Sequence, residues 1–93
     1  MRWTADLETP NDGVVRLMLY EAEGTVWLFG YDRPDDAPST RAERFEDVEA
    51  ARAAAHARFG VPRERWVWVP DPRVGDRDDL IAPRRAAAEG CGG

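Results

Sequence analysis

The sequence predicts a small α+β domain in which one antiparallel sheet, built from elements in the order β-β-β-α-β, carries a single helix on one face. Three segments predict it. Residues 24–31 form an aromatic, β-rich stretch bounded by glycine, residues 48–59 are rich in alanine, and residues 65–70 form a second aromatic stretch. A chain of 93 residues is long enough for one such domain, and its aromatic side chains must supply much of the buried surface.

The N-terminal part of the chain is predicted to form three strands. Trp3, Ala5 and Leu7 alternate with polar residues, which is the pattern of a short, half-buried strand. A turn cluster at residues 8–13 follows, and residues 14–20 are again β-rich. Residues 21–24 return the chain into a strand over residues 25–31, so the last two strands form a hairpin with a loop of three or four residues.

The length of that loop decides which side chains share a face of the sheet, because a slip of one residue exchanges the faces. A three-residue loop places Leu17 and Leu19 beside aromatic residues of the next strand. A four-residue loop separates an aliphatic face from an aromatic one, and we prefer this alternative. The aliphatic face then carries Leu17, Leu19, Val26 and Leu28, and the aromatic face carries Met18, Tyr20, Trp27 and Phe29.

The single helix is predicted over residues 48–59. Asp47 is placed to be its N-cap, and Gly60 is placed to be the left-handed residue that ends it. The polar loop over residues 32–44 can end in a short strand that carries Phe45. The helix is expected to cover the sheet face that carries Val26 and Leu28. Its buried stripe is Val48, Ala51, Ala55 and Phe59.

The last strand is predicted at residues 66–69, which are apolar on both faces and so favour an interior position in the sheet. An extended loop follows from Pro70, with a last short contact at residues 80–83. We therefore expect one domain over residues 1–83 and a flexible C-terminal tail over residues 84–93.

Composition excludes several classes of function. The net charge of −5, with 18 acidic residues interleaved among 13 basic ones, argues against a nucleic-acid partner, which requires a basic surface. No apolar run approaches the ~20 residues that span a bilayer. Residues 1–6 lack the apolar core of a signal peptide, and with one cysteine a disulfide framework is impossible, so a cytoplasmic location is expected.

The residues that catalysis commonly uses are scarce. His56, Ser39 and Cys91 are each the only residue of their kind, and no phosphate-binding glycine loop is present. Zinc sites need several Cys or His residues at ligand spacing. The sequence therefore predicts no catalytic residues, no metal and no cofactor, and we expect the protein not to be an enzyme.

The aromatic residues are the best candidates for a binding surface. They can form the core of so small a domain, or line an exposed sheet face that docks a peptide, a partner domain or a planar ligand. On the second interpretation the protein is a non-catalytic binding or accessory module with a protein partner, or a homodimer. The candidate binding residues are Tyr20, Trp27, Phe29, Tyr31 and Trp68.

The tail ends in Gly90-Cys91-Gly92-Gly93. A terminal Gly92-Gly93 on a small acidic domain resembles ubiquitin-like sulfur carriers and modifiers. That resemblance implies a partner enzyme that adenylates the terminal carboxylate and converts it to a thiocarboxylate or a conjugate. A carrier activated at Gly92 and Gly93 is therefore the alternative function.

Residues 3 to 83 also resemble uncharacterised small proteins of high-GC bacteria. No activity is established for those proteins, so the resemblance supports the fold alone and no functional residue carries over. The resembling elements are Trp3 with Leu7, Leu28-Phe29-Gly30-Tyr31-Asp32, Glu49-Ala50, Phe59-Gly60-Val61, Trp66 with Val69-Pro70, and Ile81-Ala82-Pro83.

Overall fold

In the described part of the chain, five antiparallel strands form one sheet and one α-helix packs on one of its faces, which confirms the predicted α+β class. The computed structural model describes residues 1–35, 37–72 and 77–81. The strand before the helix, β4, is the short strand carrying Phe45 that the sequence allowed, and it adds to the three in the predicted order. The elements are β1 (Arg2–Asn11), β2 (Val14–Ala22), β3 (Thr25–Tyr31), β4 (Arg41–Phe45), α1 (Val48–Phe59) and β5 (Val67–Val69), with spatial order β4-β3-β2-β1-β5.

Tight two-residue turns join β1 to β2 and β2 to β3. Glu23 and Gly24 have φ of 53° and 76°, and Asp12 and Gly13 have φ of 53° and 77°. Two successive positive φ values define a type I′ turn, whose twist matches that of the flanking strands. Both predicted loop lengths for the second hairpin are therefore wrong, because Ala22 pairs directly with Thr25 in the ladder.

The predicted separation of the two faces is nevertheless confirmed. A two-residue loop differs from a four-residue loop by an even number, so every side chain keeps its face. Leu19 lies opposite Leu28, whereas Leu17 lies opposite Gly30. The aliphatic side chains form the main core with α1, and Met18, Phe29 and Tyr31 form a second, smaller core on the other face.

The helix has the bounds and caps that the sequence predicts. The Asp47 carboxylate accepts a hydrogen bond of 2.7 Å from the Ala50 backbone N–H. Gly60 has φ of 70°, and its N–H donates to the carbonyls at the end of the helix. Ala51 and Ala55 are buried against the sheet, and their small side chains let the helix lie close to the face that carries Val26 and Leu28.

The position of β5 differs from the prediction, since among the described residues it is an edge strand whose one partner is β1. The four strands before the helix pair consecutively, so only the outer edges of β1 and β4 remain open to a later strand. Within the described residues β5 is paired only on the side that faces β1, and it ends before Pro70 after three residues. Val67 and Trp68 are exposed as a result.

Residues 77–81 lie against the face opposite the helix, through Tyr31 and Ile81. The predicted tail at residues 84–93 lies outside the described residues. No helix in the described part of the chain is long and apolar enough to cross a membrane.

Candidate functional site

Four of the five predicted binding residues lie together on the aromatic face of the sheet, the face opposite α1. Tyr20, Trp27, Phe29 and Tyr31 occupy alternate positions of β2 and β3. The Trp27 and Phe29 rings are parallel, with centroids 6.3 Å apart. Phe29 and Tyr31 are buried, whereas Tyr20 and Trp27 are half-buried.

The chain's own residues 77–81 cover part of this face. The Tyr31 hydroxyl donates a hydrogen bond of 2.6 Å to the Asp79 carbonyl, and Ile81 packs against the aromatic cluster. Leu80 is buried as well. The centre of the predicted binding face is therefore occupied, and Tyr20 and Trp27 form its accessible rim.

A buried arginine holds this segment in place. Arg2 is 1% exposed, and its guanidinium donates to the carbonyl oxygens of Pro70 at 2.7 Å, Asp78 at 3.0 Å and Leu80 at 2.6 Å. A buried guanidinium needs such partners, because leaving its donors unpaired carries a large desolvation cost. Arg2 thereby joins the first strand to the C-terminal end of the described chain.

Asp79 supplies the second attachment. Its carboxylate accepts hydrogen bonds of 2.8 Å from both the backbone N–H and the hydroxyl of Ser39, and Arg77 donates at 3.0 Å. Burial alone would raise the pKa of the Asp79 carboxyl, but the hydrogen bonds from Ser39 and Arg77 outweigh burial and lower this pKa. Ser39 therefore anchors its loop to residues 77–81.

Trp68, the fifth predicted residue, lies on the other face. It is directly opposite Trp3 in the ladder, and Trp3 packs against the core under α1. Residues opposite each other in an antiparallel pair share a face, so Trp68 lies on the helix side, at the β5 edge. It is 55% exposed, and its neighbour Val67 is 62% exposed.

The backbone N–H and C=O of Trp68 point away from β1, toward the open edge of the sheet. Met1 and Glu21 exchange both of their backbone hydrogen bonds, each of 2.7 Å, in the register that links β1 to β2. Backbone groups alternate along a strand, so Arg2 and Thr4 point toward β5 instead. Their partners Val69 and Val67 point toward β1, which leaves the N–H and C=O of Trp68 at the open edge.

A groove of about 390 Å³ lies beside this edge, between α1 and residues 61–66. Arg52 stands over the Trp3 ring, with its guanidinium carbon 5.3 Å from the ring centroid. Glu49 and Arg63 form an ion pair between the two walls. The groove is lined by Glu49, Arg52, Ala53, His56, Val61, Pro62, Arg63, Glu64 and Trp66.

Two of the residues that line this groove each have a side-chain nitrogen that is buried without a hydrogen-bond partner. They are Nε of Arg52 and the indole nitrogen of Trp66, and within the described residues no other buried side-chain polar atom lacks a partner. Sequence reasoning did not single out Arg52, and no local signal distinguishes it from the other arginines. Trp66 belongs to the aromatic residues that the sequence offers as binding candidates, although it is not among the five selected.

The other sequence candidates are the lone histidine, a metal site and the C-terminal glycines. His56 is exposed and lines the groove. Within residues 1–35, 37–72 and 77–81, no three or more His, Cys, Asp or Glu side chains come together as a possible metal site. Gly92 and Gly93, the residues of the carrier hypothesis, lie outside the described residues, so that hypothesis stays a prediction.

Comparison of the chain with known protein families, curated proteins and solved structures finds no match.

Proposed function

We propose that the protein is a small, non-catalytic, cytoplasmic binding or accessory module that docks an extended segment of a protein partner along the β5 edge. One observation carries the proposal. Val67 and Trp68 are neighbouring apolar side chains, both more than half exposed, and they lie on a strand whose outer edge is unpaired in the described structure.

Strand addition fits this edge for two reasons. The N–H and C=O of Trp68 point outward, so a partner segment can exchange hydrogen bonds with them. Trp68 and Val67 point to opposite faces, so an added strand would cover apolar surface on both. Tryptophan is also enriched among the residues that dominate binding energy at protein interfaces.

The edge is short, which limits what it can bind. β5 has three residues, and Pro70 ends it. Short edge strands and proline are common means by which proteins prevent uncontrolled pairing. A partner segment of a few residues with an apolar side chain beside Trp68 is therefore favoured over a long, continuous sheet.

The accessible rim of the aromatic face contributes less in this proposal. Tyr20 and Trp27 remain half-exposed there, whereas Phe29 and Tyr31 serve the second core. A partner that used this face would have to displace residues 77–81.

The test compares two tryptophan variants. Partners are first captured from the native host with the wild-type protein and identified by mass spectrometry, and their affinities are then measured with purified components. We expect Trp68→Ala to weaken binding at least about tenfold, with little change in thermal stability. Trp27→Ala should bind normally and be less stable, because Trp27 packs on Phe29.

Two results would contradict the proposal. One is that Trp68→Ala binds the partner with unchanged affinity whereas Trp27→Ala no longer binds it. This result would place the binding site on the aromatic face. The other is a concentration-dependent dimer by sedimentation that Trp68→Ala abolishes, since the edge would then serve a second copy of the chain.

A further inference from the structure

We propose that β4 pairs with β4 of a second copy of the chain, so that the five strands of each copy join into one continuous sheet. β4 lies at the edge opposite to β5, and among the described residues its one partner strand is β3. The two β5 edges then lie at the outer ends of the joined sheet. The dimer therefore presents two copies of the proposed partner site.

The outer edge of β4 has backbone groups that point outward. The Gly30 carbonyl accepts a hydrogen bond of 2.8 Å from the Thr40 N–H, so the backbone groups of Gly30 point toward β4. Backbone groups alternate along a strand, so those of Leu28 point toward β4 as well, and those of its partner Glu43 point back toward β3. The N–H and C=O of the adjacent Ala42 therefore point outward.

The charges of β4 select one register for this pairing. Paired residues of antiparallel strands share a face, so the two-fold axis between identical strands passes through a residue that faces its own copy. An axis at Arg41, Glu43 or Arg44 places like charges directly opposite each other, which is unfavourable. An axis at Ala42 instead places Arg41 opposite Glu43 of the second copy, and the reverse. Phe45 ends the strand, so an axis there leaves most of β4 unpaired.

The ion pairs already present at this edge fit the same register. Arg41 and Glu43 are two residues apart, so both lie on the helix side, and each has a partner within its own chain. These pairs are exposed and contribute little, so neither side chain is committed to its present partner. In the dimer the charges alternate in sign through four side chains: Asp12, Arg41, and Glu43 and Arg58 of the second copy. Ion pairs joined in a network contribute more than isolated exposed pairs.

Both faces leave room for the second copy. On the helix side, a groove of about 250 Å³ lies beside the edge, and its lining includes Arg41 and Glu43. On the aromatic face, Ala42 lies opposite Phe29 and is exposed. Two small Ala42 side chains at the axis let the strands approach, and pairing removes this apolar surface from water.

Charged side chains commonly protect an edge strand from pairing. On β4 the two charges have opposite signs and are separated by one residue, so they oppose the neighbouring registers and favour one. Pairing about this axis also uses the β4 edge of both copies. The edge is therefore suited to a defined dimer and not to open-ended association.

The experiment follows the oligomeric state of the full chain by sedimentation between about 20 μM and 1 mM, because a five-residue edge buries less surface than a standard interface and should give a weak dimer. We expect the wild type to change reversibly from monomer to dimer across this range. Arg41→Glu and Glu43→Arg each place like charges opposite each other, so each variant alone should dimerise at least about tenfold more weakly. An equal mixture of the two variants should dimerise as the wild type does, because opposite charges then face each other at both positions.

Two further variants are controls, and circular dichroism checks that every variant is folded. Arg44→Glu makes the same change of charge as Arg41→Glu on the same strand, but position 44 lies opposite Thr40 of the second copy in this register. It should leave dimerisation unchanged. Trp68→Ala should do so as well, which keeps this test independent of the proposed partner site.

The proposal is overturned if the wild-type chain remains monomeric at the highest concentration, or if the mixture stays monomeric while the wild type dimerises. A dimer that Trp68→Ala abolishes and Arg41→Glu leaves intact would also overturn it, since the interface would then be the β5 edge. If a charge-reversal variant does not fold, hydrogen exchange of the Ala42 amide in the wild type decides. This amide should exchange more slowly at the highest concentration than at the lowest, and equal rates would overturn the proposal.

Discussion

The two faces of the sheet are covered in different ways. On the helix side, apolar side chains of three central strands pack against buried alanines of α1, so hydrophobic burial holds the helix on the sheet. On the aromatic side, residues 77–81 close the face with only Leu80 and Ile81 as large apolar groups. There the contacts are polar, through Arg2, Asp79 and the Tyr31 hydroxyl. A helix of 12 residues can bury enough apolar surface to hold itself in place, whereas a short segment requires specific hydrogen bonds.

This difference explains where a binding surface can lie. The sequence predicts the aromatic face as the binding surface, yet residues 77–81 of the same chain cover its centre. The helix side ends at β5, where nothing in the described structure covers Trp68. The proposed partner site lies at this end of the sheet.

The largest expected effect is on the helix side. Leu19 is fully buried between β1, β3 and the helix, so Leu19→Ala should lower the free energy of unfolding by about 3–5 kcal/mol. Urea unfolding measures the change. Ile81→Ala, on the other face, is the comparison and should cost about 1–2 kcal/mol, because Ile81 is only half-buried. Equal losses in the free energy of unfolding would show that hydrophobic burial contributes equally on the two faces of the sheet.

The next effect concerns Arg2. Arg2→Met keeps an apolar side chain of similar length but leaves the carbonyls of Pro70, Asp78 and Leu80 without their donor. We expect a loss of about 2–3 kcal/mol by urea unfolding. Arg44→Met, at an exposed position of the same face, is the control and should cost almost nothing. A neutral Arg2→Met would mean that the segment is held by its apolar side chains alone.

How far the sequence determines this structure depends on how local each feature is. The limits of α1 follow from Asp47 and Gly60, which act on the residues next to them. The division of β2 and β3 into two faces follows from their alternation. These features were predicted correctly because neighbouring residues are enough to specify them.

Features that depend on distant residues were not predictable. The position of β5 depends on which edge remains after four strands have paired, and the face of Trp68 depends on its register with Trp3. Arg2 contacts residues 68 to 78 positions away. The two-residue turn was missed because Glu23, a residue that seldom adopts positive φ, does so here.

A smaller and pH-dependent effect is expected at Asp79. Asp79→Asn removes a charged acceptor from Ser39 and Arg77 and should cost about 1–2 kcal/mol at neutral pH. The folded pKa of this carboxyl is lowered, so its stabilisation is complete above the ordinary value of about 4 and is lost as the pH falls through the folded value.

Unfolding of both proteins along a pH series checks this expectation. The stability difference between wild type and Asp79→Asn should shrink as the pH falls below about 4. Asp78→Asn, at the exposed neighbouring side chain, is the control and should be as stable as the wild type at neutral pH. A difference that grows in acid would contradict the role assigned to Asp79.

The smallest effect is expected at the other end of the sheet. Arg58 of the helix donates to both carboxylate oxygens of Glu43 on β4, and this hydrogen bond is the main reason that the pKa of Glu43 is lowered. Both side chains are about half-exposed, where ion pairs contribute little. Glu43→Gln should therefore leave the melting temperature unchanged within error, and a clear decrease would show that this pair helps to hold the helix.

The proposed docking at the β5 edge depends on closure of the aromatic face by the chain's own residues 77–81. The amide of Ser39 tests it directly, because it lies outside every helix and strand and donates to the Asp79 carboxylate. Hydrogen exchange by NMR at neutral pH should show slow exchange of this amide in the wild type. In Asp79→Asn it should exchange much faster, while the amides of β2 and β3 keep their rates. Fast exchange of the Ser39 amide in the wild type, equal to that in Asp79→Asn, would contradict the account.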